Sequence, residues 1–87
     1  MTKIKGKNVL ITGGASGIGK IMGRICLEKG AANLIIWDMN PESLEVAAAD
    51  LRQYGSVETY EVDVTNDELV VKTYQDVLQR FERVGVL

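Results

Sequence analysis

Four glycines stand within eight residues, Thr12-Gly13-Gly14-Ala15-Ser16-Gly17-Ile18-Gly19, and the hydrophobic period changes across them. Before the cluster, Asn8 to Thr12 is short, apolar and partly β-branched, the composition of a buried strand. From Gly17 onward Ile18, Ile21, Met22, Ile25 and Cys26 recur at helical spacing, while Lys20, Arg24 and Glu28 fall on the other side. Gly30 is placed to stop that helix. A strand that runs through a glycine turn straight into a helix leaves few folds open to the chain.

The alternation continues downstream. Asn33 to Asp38 is a second buried-strand run that ends in an acid. Asn40-Pro41 then has the form of an N-cap followed by proline at the first helical position. Leu44, Ala47, Ala48 and Leu51 supply the apolar stripe of that second helix, and Gly55 follows its end. Val57 to Val62 predicts a third strand, more polar and therefore nearer an edge. Thr65 and Glu68 have capping-box spacing, ahead of a helical pattern through Val70, Tyr74, Val77 and Phe81. The order β-α-β-α-β-α requires parallel strands with right-handed crossovers. With the strands in the order 3-2-1, the third helix leaves on the opposite face, toward a fourth strand. The sequence predicts no fourth strand; Gly85-Val86-Leu87 reads only as its lead-in. The first strand is accordingly expected to be an open edge through which two copies could pair.

Composition narrows the function. With 87 residues there is room for one small domain. Apolar residues at 46% and charged residues at 25% are those of an ordinary water-soluble domain. A net charge of −2, with no basic cluster beyond Lys3, Lys5 and Lys7, argues against nucleic acid as a partner. Histidine is absent, which removes histidine catalysis and histidine metal sites from this chain. No metal site is expected. The single cysteine, Cys26, cannot form an intrachain disulfide and suits a reducing, cytoplasmic setting. Neither a signal peptide nor a membrane span is expected.

A glycine loop that opens a helix points to phosphate chemistry. Unpaired N–H groups at a helix start attract an anion. Gly13 permits the tight turn, Gly17 lets backbone approach a pyrophosphate, and Gly19 and Gly23 let the helix close on the first strand. Asp38, 19 residues after Gly19, ends the second strand, where a carboxylate accepts from an adenosine ribose and repels a 2′-phosphate. Gly14 to Lys20 also satisfies most of a phosphoryl-transfer loop. That loop needs Ser or Thr after the lysine to hold magnesium, and Ile21 stands there.

Taken together, Thr12-Gly13-x-x-x-Gly17-x-Gly19, Asp38 and Asp63-Val64 resemble the short-chain dehydrogenase/reductase family along essentially the whole chain. The resemblance implies an α/β fold of Rossmann type, with three α/β/α layers, of which residues 1–87 would form the N-terminal cofactor-binding half. It implies an NAD(P) cofactor touched by Gly13, Ser16, Gly17, Ile18, Gly19, Asp38, Met39, Asp63 and Val64. Within that set Asp63 and the Val64 N–H would meet the adenine ring, and Ser16 with Asp38 would favour NAD over NADP. It also implies hydride transfer between a nicotinamide and an alcohol or carbonyl substrate, in a homo-oligomer. Trp37 is expected to pack beside the adenine, and Tyr54, Tyr60 and Tyr74 to be structural.

The family's proton chemistry uses a tyrosine and a lysine four residues apart. Here the residues four beyond Tyr54, Tyr60 and Tyr74 are Glu58, Val64 and Leu78. The Asn-Asn-Ala-Gly segment that follows the family's fourth strand is missing as well. No catalytic residue is therefore assigned, and the chain alone is expected to be inactive. Two other functions stay open at this point: a free-standing nucleotide-binding or assembly module, and phosphoryl transfer.

Overall fold

In the computed structural model, residues 4–86 are described; Lys3 and Leu87, singled out above, lie outside them. Strands β1 (Asn8–Thr12), β2 (Asn33–Asp38) and β3 (Val57–Glu61) alternate with helices α1 (Gly17–Glu28), α2 (Pro41–Leu51) and α3 (Asp67–Phe81), and β4 (Gly85–Val86) follows. They build one parallel sheet in the order β3-β2-β1-β4, with β3 at an edge as its polar composition predicts.

Strand pleating explains the layers. Val9 and Ile11 of β1, with Leu34 and Ile36 of β2, point to the face covered by α1 and α2. There they meet Cys26, Leu27, Leu44, Ala47, Ala48 and Leu51. The alternate residues Leu10, Ile35 and Trp37 point to the opposite face, against Val62 and against Val77 of α3. Leu34, Ile35 and Ile36 are completely buried because both faces of β2 are covered. Cys26 is core, as expected, and burial pushes its thiol pKa up.

Two helices begin as the sequence signals, though one shifts by a residue. The Asn40 side chain accepts from the N–H groups of Glu42 (3.0 Å) and Ser43 (3.1 Å), with Pro41 in the first turn. The cap of α3 is Asn66, whose Oδ1 accepts from Leu69 N–H at 3.1 Å, and not Thr65. The Thr65 side chain is instead turned back toward Asp63, to which its N–H and hydroxyl both donate.

Three expectations need correction. First, the buried side of α1 is Gly23, Cys26 and Leu27, while Ile18, Ile21 and Ile25 are 76%, 59% and 43% exposed. The phase is set by close approach: a Cβ on Gly19 would collide with the Gly13 carbonyl, and one on Gly23 would sit 2.8 Å from Leu34 Cδ2. Glycines thus face inward and rotate the isoleucines out. Second, a fourth strand exists: Gly85 and Val86 pair with Val9 and Leu10 in parallel. Third, β1 is in consequence not an open edge along Val9 and Leu10. Strand β3 also ends one residue early, although Val62 N–H still reaches the Asp38 carbonyl at 3.0 Å. Among the described residues no helix is long and apolar enough to cross a membrane.

Candidate functional site

The residues expected to touch the cofactor, Gly13 to Gly19, Asp38, Met39, Asp63 and Val64, lie at or just beyond the carboxyl ends of β1, β2 and β3. The loop after β1 begins with Gly13 N–H donating to the Trp37 carbonyl at 2.7 Å, which carries the β1–β2 ladder one residue further. Gly13 (φ +67°) then turns the chain in the left-handed region, and Gly17 (φ +57°) does so again as α1 starts. No side chain lies within 4 Å of where a Cβ on Gly17 would stand, so the backbone there is open to approach. Gly19 is closed in against the loop backbone, so its role is to draw α1 onto the turn.

Helix α1 differs from the other two at its first turn. Ser16 occupies the N-cap position but its hydroxyl makes no cap hydrogen bond, and no acidic residue stands in the first turn. Both α2 and α3 are capped by an asparagine and carry acids there. An uncapped helix start keeps its N–H groups and its partial positive charge directed at whatever lies beyond the loop.

Asp38 reaches this loop directly. Its Oδ2 accepts from Ala15 N–H at 3.3 Å and its Oδ1 from Asn40 N–H at 3.2 Å, so one carboxylate joins the glycine loop to the start of α2. The sequence does not reveal this tie, because nothing in local spacing links Ala15 with a residue on the next strand. Met39, beside it, is 65% exposed, and Ser16 on the loop and Ile18 in the first turn of α1 are exposed too.

Asp63 and Val64 stand at the same end of the sheet, past β3. Asp63 Oδ1 accepts from Thr65 N–H at 2.9 Å and from the Thr65 hydroxyl at 2.6 Å. Those two bonds hold its carboxyl below the usual carboxylate range. The structure joins the loop and Asp38 by a hydrogen bond; Asp63-Val64 shares their edge of the sheet, with no hydrogen bond to either among the described residues.

Trp37 lies on the α3 side, 3% exposed, with its ring edge-on to Tyr74 at 6.4 Å and 81°. Its indole N–H has no partner among the described residues. With Leu10, Thr12, Val70, Tyr74 and Val86 it lines a hollow of about 400 Å³ beside β1. Tyr60 is engaged structurally, accepting from Arg80 at 2.7 Å and donating to Asp76 at 3.3 Å. Lys20, which a phosphoryl-transfer loop would hold over the phosphates, is paired at 2.5 Å with Asp50 of α2.

A parallel sheet whose strand order reverses between β1 and β4, with a glycine loop and an acid at its carboxyl edge, defines the class of dinucleotide-binding α/β folds. A family model described as short chain dehydrogenase matches residues 7–87, and the chain belongs to that family. A short chain dehydrogenase/reductase, dpchG, of Colletotrichum higginsianum is 36% identical over 87 residues, covering 99% of this chain and 32% of that protein. The 3-oxoacyl-[acyl-carrier-protein] reductase FabG of Thermotoga maritima is 33% identical over 86 residues, covering 98% of this chain and 35% of that protein. A crystal structure of NAD+-bound xylitol dehydrogenase superposes with a TM-score of 0.90 at 32% identity, over 98% of this chain and 33% of the other. The chain thus spans about a third of the length of these relatives.

Proposed function

We propose that this chain binds an adenine dinucleotide along the carboxyl edge of its sheet, NAD in preference to NADP, as the cofactor-binding part of an oxidoreductase. The observation that carries this is the uncapped start of α1, set behind a glycine loop and tied through Ala15 to Asp38. The pyrophosphate would rest on the N–H groups from Ser16 to Gly19, with Gly13 and Gly17 giving the backbone room. Asp38, with Met39 next to it, would take the adenosine ribose, and Asp63 with the Val64 N–H the adenine. The xylitol dehydrogenase that superposes on this chain is NAD+-bound, and the same nucleotide suits the Asp38 carboxylate here.

A 2′-phosphate at Asp38 would meet like charge, and Ser16 offers no cation to offset it. Bound nicotinamide supplies hydride transfer to or from an alcohol or carbonyl carbon. The proton that accompanies it needs an acid–base pair, and no Tyr-x-x-x-Lys pair occurs in this sequence. The chain's own part in the reaction is to hold and orient the cofactor. Its lone thiol suits a reducing, cytoplasmic location.

Calorimetric titration with NAD and NADP tests the proposal. Asp38→Ala should weaken NAD by roughly tenfold, about 1.4 kcal/mol, and leave NADP unchanged or tighter. An NAD-to-NADP ratio identical before and after the substitution would overturn the role given to Asp38.

A further inference from the structure

At the end of the sheet remote from the glycine loop, Asn8 opens β1 and its side-chain amide donates twice. Its Nδ2 reaches the Phe81 carbonyl at 2.8 Å and the Arg83 carbonyl at 3.0 Å. Those carbonyls bracket Glu82, which has φ 62° and ψ −64° and is the one non-glycine residue with positive φ among those described. Arg83 N–H closes back on the Phe81 carbonyl at 2.7 Å, so residues 81–83 form a γ-turn of the positive-φ kind. Such turns are rare and strained. A glutamate persists in one only when its surroundings over-determine it.

Asn8 is itself held. Its Oδ1 accepts from Asn33 Nδ2 at 2.9 Å, and Asn33 Oδ1 accepts from the Ser56 hydroxyl at 2.8 Å. Asn8 and Asn33 are register partners on β1 and β2, and Ser56 immediately precedes β3. A relay of side-chain hydrogen bonds therefore crosses the starts of three strands and ends on the turn. Each amide oxygen in it is committed to the neighbour, which leaves the Asn8 NH₂ for the two carbonyls. Beyond that turn come Arg83 and Val84, and then Gly85 and Val86, which pair with Val9 and Leu10.

We propose that Asn8 is a positioning residue: by clamping the strained turn at Glu82 it seats β4 beside β1 in the observed register. The strand order reverses between these two strands, and in open α/β sheets the ligand crevice lies at the carboxyl side of such a reversal. Asn8 thus fixes, from the opposite end of the sheet, one wall of the crevice. This goes beyond the nucleotide contacts and does not depend on which nucleotide binds.

Hydrogen exchange of the full chain without nucleotide, read by mass spectrometry on peptides, tests it. Asn8→Ala should speed exchange of residues 83–86 at least tenfold while residues 34–38 and 57–61 stay within twofold of wild type. Asn8→Asp keeps an acceptor for Asn33 but loses both donors, so it should expose the same segment at least as much. Asn33→Ala, which leaves both Asn8 donors but frees the amide to turn and removes the acceptor for the Ser56 hydroxyl, should act on that segment more weakly; it carries the comparison if Asn8→Ala does not fold. Glu82→Gly relieves the turn and should restore protection when added to Asn8→Ala. Faster exchange spread evenly over all strands would make Asn8 a general stabiliser and overturn the proposal. So would wild-type exchange in Asn8→Asp, or no rescue by Glu82→Gly.

Discussion

Replacing Gly19 with alanine isolates the contact that fixes how α1 leaves the loop. Helix propensity alone favours alanine over glycine by about 1 kcal/mol, so a helix free to adjust would gain. The structure predicts a loss. The new methyl would collide with the Gly13 carbonyl oxygen and stand 3.0 Å from both the Gly13 carbonyl carbon and Gly14 Cα, all backbone atoms that cannot rotate aside. Overpacking of this kind costs about 1–3 kcal/mol, and more where nothing can yield. With backbone at each of these contacts the upper end, about 3 kcal/mol, applies; less the propensity gain this leaves a net destabilisation of about 2 kcal/mol, which lowers the melting temperature of a domain this size by roughly 10 °C. Thermal and urea unfolding, followed by the fluorescence of Trp37, measure it; Trp37 is the only tryptophan in the chain and is buried at β2. Gly17→Ala is the comparison. Outside its chain neighbours and its own helix turn no atom lies within 4 Å of the added methyl, so its cost is confined to the left-handed φ of +57°, about 1–2 kcal/mol. A Gly19→Ala protein as stable as wild type, or more stable, would refute the idea that close approach sets the phase of α1.

The caps and the acid after β3 give two further tests. Asn40→Ala removes the acceptor for Glu42 and Ser43 N–H and should cost about 1 kcal/mol in urea unfolding, whereas Asn40→Ser should recover most of it. Asp63 titrates below its ordinary 3.8 in the folded chain because Thr65 donates to its ionised form. Its contribution to stability is therefore present above that value and is lost as pH falls through the folded pKa. Thr65→Val deletes the hydroxyl donor and should raise the Asp63 pKa toward 3.8 in an NMR titration; an unmoved titration curve would show that the side-chain bond does not hold the carboxylate.

What the sequence exposes and what it hides follow from how many signals agree at each element. Helix α2 is fully legible because cap, proline and apolar stripe coincide: Asn40, Pro41, and then Leu44, Ala47, Ala48 and Leu51, all buried as spaced. Strands β1 and β2 are legible because their apolar runs stop at glycine and at an acid. The face of α1 is misjudged because a count of hydrophobic residues gives glycine no weight, yet Gly19 and Gly23 are what meet the loop and β2. At α3 two residues compete for the cap position, and Thr65 is withdrawn by its bonds to Asp63. Strand β4 has two residues among those described and no period to detect, and the amide that bonds to its turn comes from 73 positions earlier at Asn8. In the candidate site the glycine spacing and Asp38 are plain in the sequence. The Ala15–Asp38 bond is not, since it arises only once β1 and β2 lie side by side.

The two surfaces of the sheet differ in how tightly they are filled. Toward α1 the fit is so close that a methyl on Gly23 would press on Leu34, while toward α3 a hollow remains beside Trp37. Neutral drift should register this difference. Around that hollow, at Val70 and Tyr74, a size change can be absorbed on its own; at Gly23 it should survive only as a linked exchange, the gain matched by a trimmed neighbour on β2.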